Sequence, residues 1–223
     1  MTPSLRYTYD FVRAALPAGS RKILEIGCGT GELAAALQAA GFRLVALDSD
    51  PACAAEARDK GVDARTCEWP SELDDTFDDV LFTRSLHHVA PLDEAIAAAV
   101  AALEPSGRII VEDFRAEGGS ERSRAWFMDA VSRVRLPEEA LGAVVAKAGP
   151  PHNDHDLHSS SAIADALARH GEVQADDAAY YFRYAEPYLP ESAAEALLEE
   201  ELKLMAAGTI DPLGRRYVLM PRD

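Results

Sequence analysis

Three glycines at alternate positions, Gly27, Gly29 and Gly31, stand inside the run Leu24-Glu25-Ile26-Gly27-Cys28-Gly29-Thr30-Gly31-Glu32. Glycine adopts backbone conformations closed to other residues and lets a ligand approach the main chain closely. Where such a loop opens a helix, the first N–H groups of that helix face outward without partners. About 20 residues on, Asp48 closes an apolar run, where a carboxylate can accept hydrogen bonds from both hydroxyls of a ribose. Loop and acid together describe a nucleoside site. The alternative, glycines that only shape a tight turn and an aspartate that only caps a helix, leaves their common spacing unexplained. A dinucleotide site is disfavoured because it needs G-x-G-x-x-G, and Glu32 occupies the place of the third glycine.

Histidines supply the other candidate chemistry, since imidazole titrates near neutrality. His88 follows an apolar run, and His152, His155 and His158 interleave with Asn153, Asp154 and Asp156. His88 and His155 are the candidate catalytic residues, with His158 a second candidate to face a substrate. Each has a plainer reading: His88 as a hydrogen-bonding brace, the cluster as a solvated loop. Intervals of three and three match no zinc spacing, and Gly149-Pro150-Pro151 makes the segment a loop, so no metal is expected.

These residues need a scaffold. Apolar runs at 22–26 (KILEI), 43–47 (RLVAL), 62–66, 79–83 (DVLFT) and 108–112 (RIIVE) alternate with helix-forming stretches at 32–40, 51–60 and 93–103. Asp50 and Pro51 mark a helix start, and Gly41 and Gly61 mark helix ends. Strand and helix in alternation predict parallel strands joined by right-handed crossovers, a doubly wound α/β sheet with helices on both faces. Ligands bind such sheets beyond the carboxyl ends of the strands, where strand order reverses. After Phe114 the rhythm changes. Helices at 120–135 and 138–147 have no strand between them, so residues 115–157 read as a helical cap inserted after the fifth strand. A helix at 162–170, an aromatic strand at 178–184 (AAYYFRY), an acidic helix at 191–207 and a last strand at 216–220 complete a single domain of 223 residues. In the cap, one of Trp126 and Phe127 faces the core and the other is free to face a pocket.

Composition narrows the partners. Lys and Arg number 22 against 38 Asp and Glu, a formal charge of −16. That balance disfavours a protein that grips nucleic acid or an anionic membrane. No apolar run approaches the roughly 20 residues of a membrane span, and the N-terminus lacks the apolar core of a secretory signal. Cys28, Cys53 and Cys67 make no disulfide framework, which points to a reducing cytoplasm.

Beyond the glycine loop, Leu47-Asp48-Ser49-Asp50-Pro51, Phe77-Asp78-Asp79-Val80, Leu86-His87-His88-Val89 and Leu103-Glu104-Pro105-Ser106-Gly107-Arg108 follow in order. With E-x-G-x-G-x-G at the front, this set resembles the class I S-adenosylmethionine-dependent methyltransferases, over roughly residues 22–114. Ser106 stands where that family usually has glycine, and its usual G-D-A is absent near residue 67. The resemblance implies a Rossmann-like seven-stranded sheet, mostly parallel with its last strand antiparallel. S-adenosylmethionine is the implied cofactor and S-adenosylhomocysteine the product. Gly27, Cys28, Gly29 and Gly31 would pack on the methionine part, with Glu25 orienting that end and Thr83 and Arg84 lining it. Asp48 would bind the ribose, Ser49 would border the adenine, and Cys67 and Glu68 would meet its amino group. Arg84, unusual at its place, would face a carboxylate of the cofactor or of an acidic substrate.

Methyl transfer from a sulfonium is an in-line displacement, in which the protein aligns the partners and excludes water. The resulting expectation is a transferase acting on a small molecule, with oxygen of a hydroxyl or carboxylate as first choice of acceptor and nitrogen next. Two competitors remain at this stage. One is a protein of the same fold that binds the cofactor without transferring methyl. The other is a modifier of proteins, which would show a wide open cleft.

Overall fold

The carboxyl ends of β1 (Lys22–Ile26) and β4 (Phe77–Thr83) lie side by side at the centre of the molecule, and the topology explains why. In this computed structural model, which describes residues 1–20, 22–71, 73–134, 136–148 and 157–222, chain order begins with helix α1 (Pro3–Ala15), before β1. It continues through α2 (Glu32–Ala39), β2 (Arg43–Asp48), α3 (Pro51–Asp59), β3 (Asp63–Thr66), β4, α4 (Leu92–Ala101) and β5 (Leu103–Phe114). Then come α5 (Glu121–Arg133), α6 (Glu138–Ala148), α7 (Ser160–Ala168), β6 (Gly171–Ala178), α8 (Phe182–Ala185), α9 (Glu191–Ala206) and β7 (Gly214–Pro221).

Among the described residues the strands form one seven-stranded sheet ordered β3-β2-β1-β4-β5-β7-β6. The first five are mutually parallel, and β7 runs antiparallel to both β5 and β6. Order reverses between β1 and β4, which opens the switch-point crevice at their carboxyl ends. Both central strands are buried along nearly their whole length, as expected for parallel strands covered on both faces. One face packs Leu24, Ile26, Val80, Phe82, Ile109 and Val111 against residues of α4 and α7. The other packs Ile23, Leu44, Leu81 and Ile110 against α1, α2 and α3.

Local chemistry sets the helix starts. Asp50 accepts the Ala52 N–H ahead of Pro51, and Ser159 accepts the Ala162 N–H. Thr2 caps α1 in the same way. This helix was not anticipated from sequence; its Leu5 and Thr8 reach the site described below.

A second departure concerns residues 178–184. They were expected as an aromatic strand, but the sixth strand is Gly171–Ala178, and the aromatic run turns into α8. Buried Glu201 of α9 explains the turn, because its carboxylate accepts the N–H groups of Tyr180, Tyr181 and Phe182. Three backbone donors gathered on one carboxylate are incompatible with a ladder. The strand itself is an edge strand, mostly exposed, so its sequence GEVQADDA carries no apolar alternation. The expected opposition of Tyr181 to Tyr180 and Tyr184 fails with the strand: all three rings cluster together.

Helices α5 and α6 contribute Phe127, Ala130, Val131, Val144 and Ala148 to a third cluster, shared with α8 and α9. Phe127 is fully buried there, while Trp126 is only partly so and donates from Nε1 to Glu200. No helix of the described residues is long and apolar enough to cross a membrane.

Candidate functional site

The loop after β1 is held from below by Leu47, whose carbonyl accepts the N–H groups of Gly27 and Cys28 at 2.8 and 3.0 Å. Gly27 (φ 71°) and Gly31 (φ 79°) are both left-handed and both crowded. A methyl group on Gly27 would fall 2.3 Å from Cβ of Ser85, and one on Gly31 would fall 2.6 Å from Cβ of Ala57. Gly29 differs: its missing side chain faces open space, so the backbone there forms a bare ledge. Asp48 holds that ledge in place, accepting the Gly29 N–H at 2.7 Å and the Asp50 N–H at 2.9 Å.

Two cavities flank the ledge. One, of about 360 Å³, is lined by Glu25, Cys28, Thr30, Glu32, Cys53 and Thr83, with Leu5 and Thr8 of α1 across from them. At its floor Glu25 is 1% exposed. Its Oε1 accepts the Thr83 hydroxyl at 3.0 Å, but its Oε2 is buried without a partner. Burial raises the Glu25 pKa to about 7, against the opposing pull of the Thr83 hydrogen bond and the Arg84 charge. Cys28 is held as a thiol, its pKa pushed up to about 12 by burial and by the nearby Glu25 and Asp48.

The second cavity, of about 530 Å³, is walled by Asp48, Ser49, Glu68, Trp69, Ser85, His88 and Ala90. Here the wall after β3 is made by Glu68 and Trp69. Cys67 instead donates its N–H to the Asp48 carbonyl and rests its thiol on Ser71. His88 lies in a short 3₁₀ turn, Leu86–His88, tilted on His87 with ring centroids 4.1 Å apart. It faces this cavity and not the third one.

That third cavity, of about 520 Å³, opens on the far side of Arg84. Phe114, Arg115, Lys147, Ala148, Tyr180 and Arg183 are among its walls. Arg84 is common to all three cavities. It adopts φ 59°, unusual for a residue with a side chain, and its N–H is bound at 2.7 Å by the Glu112 carbonyl. Behind it lies a charge cluster that sequence reading missed. Buried Glu112 accepts from Thr8 at 2.5 Å, from Arg183 at 2.7 Å and from Arg216 Nε at 2.8 Å. Burial alone would raise its pKa, but Arg183 and Arg216 outweigh that and hold it below the usual range.

Among the histidines, His158 ties the loop after β4: its N–H binds the His87 carbonyl, and its Nε2 lies 2.9 Å from the Val89 carbonyl. His155, with His152, lies outside the described residues. Among the described residues no group of His, Cys, Asp and Glu side chains is placed to hold a metal ion.

The arrangement suits an amino-acid-bearing nucleoside. An orphaned carboxylate oxygen marks the smaller cavity for a cationic donor, and an acid, a bare backbone ledge and the Trp69 edge mark the larger for ribose and base. Comparison with known proteins agrees. A family model described as a methyltransferase domain matches residues 5–171. A demethylmenaquinone methyltransferase from Clavibacter sepedonicus is 31% identical over 110 residues, 46% of this chain. The match takes in only 44% of that relative's length. Among solved structures, the plantazolicin methyltransferase BpumL in complex with SAH superposes with a TM-score of 0.56 at 15% identity, covering 98% of this chain and 83% of its own. Phosphoethanolamine N-methyltransferase 2 of Haemonchus contortus, in complex with S-adenosyl-L-methionine, gives 0.60 at 15% identity, covering 96% and 52%. A possible histamine N-methyltransferase from Thermotoga maritima gives 0.59 at 16%, covering 98% and 89%. At these identities the structures show a shared fold.

Proposed function

The chain belongs to the methyltransferase-domain family, whose methyl donor is S-adenosylmethionine, and from that premise we propose that it methylates a small molecule bound in the cavity beyond Arg84. The observation that carries this reading is the meeting of three cavities at one residue, two on the nucleoside side and one on the other. A recess of about 520 Å³ fits a compact ligand better than the broad open cleft a protein substrate would need.

When bound, the cofactor supplies a methyl group on a positively charged sulfur. The chain's own residues do the rest. Glu25 Oε2 would accept from the ammonium of the methionine part, and Asp48 would have lone pairs left for the ribose hydroxyls beyond its two backbone partners. Ser49 and Glu68 border the base, with Trp69 giving it an apolar edge. Thr83 fixes the rotamer of Glu25. Helices α5 and α6 act as the cap: the end of α6, at Lys147 and Ala148, walls the acceptor cavity and helps exclude water. His88 lines the cavity on the nucleoside side, so we do not assign it the role of base. Oxygen of a hydroxyl or carboxylate is the proposed acceptor atom, with nitrogen the next choice. We place the enzyme in the cytoplasm, which suits its three free cysteines.

Calorimetric titration of S-adenosylmethionine into wild type and Asp48→Ala tests the reading. A hydrogen bond to a charged group contributes about 1.5–3 kcal/mol, so the variant should bind on the order of 10- to 100-fold more weakly. Unchanged affinity in a variant that retains its melting temperature refutes the ribose assignment.

A further inference from the structure

The described wall of the acceptor cavity inverts the charge of the protein around it. The chain as a whole has 38 acidic and 22 basic side chains. Yet the described wall of this one recess carries Arg84, Arg115, Lys147 and Arg183 against a single acid, Glu186. Glu186 is already engaged, accepting the Ser4 N–H at 2.8 Å. Just behind the wall, Glu112 serves Arg183 and Arg216 and lies 4.0 Å from Arg84, so one carboxylate faces three guanidinium groups.

Unpartnered polar atoms gather in the same residues. Nε of Arg115, Nε of Arg183 and the hydroxyl of Tyr181 are all buried and find no acceptor among the described residues. Each belongs to a residue of this wall. The contrast with the cofactor side is instructive, because there the orphaned atom is an acceptor, Glu25 Oε2. The unpartnered atom on one side is a carboxylate oxygen, and those on the other include two guanidinium N–H donors.

The remaining wall is aromatic. Phe114 and Tyr180 lie tilted with centroids 5.1 Å apart, Tyr184 meets Tyr180 edge-on at 5.6 Å, and the Arg183 guanidinium sits 5.6 Å from the Tyr180 centroid. Such surfaces hold planar rings, and guanidinium forks hold oxyanions.

We infer that the acceptor is an oxyanion on a flat, ring-based body, the anion gripped by Arg115 and Lys147 together with Arg84 and Arg183, the ring by Phe114 and Tyr180. This rests on the proposed function, since it names what occupies the acceptor side of that site.

The test uses the full chain loaded with S-adenosylhomocysteine and three matched probes: 2-naphthoate, 2-naphthyl phosphate and uncharged 2-naphthamide, titrated by calorimetry. At least one anion should bind tenfold or more tightly than the amide, and the better of the two identifies the oxyanion. Arg115→Gln combined with Lys147→Gln should remove most of that preference and leave affinity for S-adenosylhomocysteine unchanged. Asp177 pairs with Arg115 at 3.3 Å and also with Arg215, so it keeps Arg215 as a partner in this variant, which protects the fold. No preference for an anion, including no binding of any probe, overturns the inference, as does a preference that survives both substitutions. Failure of S-adenosylhomocysteine itself to bind overturns the underlying reading instead, so the two failures are distinguishable.

Discussion

Glu25, in the proposed role, should make cofactor affinity a function of pH. Without ligand its carboxyl has a pKa of about 7, raised chiefly by burial. Binding in the proposed way requires the ionised form, because Oε2 must accept from an ammonium. Apparent affinity is then the intrinsic affinity scaled by the ionised fraction. That fraction is close to one at pH 8.5, about one half at pH 7 and about 1% at pH 5, so affinity should fall on the order of 100-fold between pH 8.5 and pH 5. Calorimetry in buffers of different ionisation enthalpy adds a second readout: below pH 7, binding should release close to one proton. Glu25→Gln should flatten the profile at the weak limit. The same group also costs stability. In the unfolded chain its pKa returns to about 4.5, so the folded state holds the proton more tightly. Its contribution to stability is greatest below pH 4.5 and declines as pH rises to 7, by about 3 kcal/mol as an upper bound. The glutamine variant should therefore melt higher than wild type at pH 8 while binding cofactor worse. Affinity that stays level from pH 5.5 to pH 8.5, with no proton released, would refute the assignment of Glu25.

Three further outcomes follow from contacts elsewhere in the site. Gly27→Ala drives a methyl group into Ser85 and keeps a left-handed backbone, so it should cost about 2 kcal/mol or more in denaturant unfolding, and adding Ser85→Gly should recover only the steric part. Glu112→Gln leaves Arg183 and Arg216 buried without a counter-charge and should destabilise by about 3–5 kcal/mol; wild type should lose the Glu112 contribution as pH falls through its lowered pKa, whereas the variant should show no such acid-side loss. Treatment with a chelator should leave methyl transfer intact, and activity restored by adding a divalent ion would contradict a metal-independent mechanism.

The half of the molecule proposed to bind the nucleoside was readable because each of its features is local. A parallel strand buried on both faces must be a short apolar run, and β1, β2 and β4 are such runs. The loop that follows β1 needs glycine at Gly27 and Gly31 for reasons of space that show directly as residue type. Asp48 is tied to Gly29 across 19 residues, yet both ends sit in recognisable contexts. The second half failed where long-range partners decide local structure. Residues AAYYFRY look like a strand until Glu201, 19 to 21 residues downstream, collects three of their N–H groups. An edge strand of sequence GEVQADDA declares nothing by its pattern, because one side of its ladder faces solvent.

The same distinction separates what the sequence offered about cofactor from what it offered about acceptor. Arg84 drew notice because it stands beside a recognisable strand end, but Arg183 lies in an aromatic run read as strand, and Glu112 was the unremarked end of RIIVE. These two meet only because β5, α1, α8 and β7 converge, bringing residues 8, 183 and 216 onto the carboxylate of residue 112. Nothing in the spacing of those four positions encodes their contact. The acceptor wall is built the same way, from chain segments as distant as Ser4, Lys147 and Leu213. A cofactor shared by many enzymes is bound by a local, reusable strand-loop-helix unit, whereas specificity resides in a surface assembled from remote pieces. The charge of the described part of that surface, opposite to that of the whole chain, is therefore information that only the folded molecule carries.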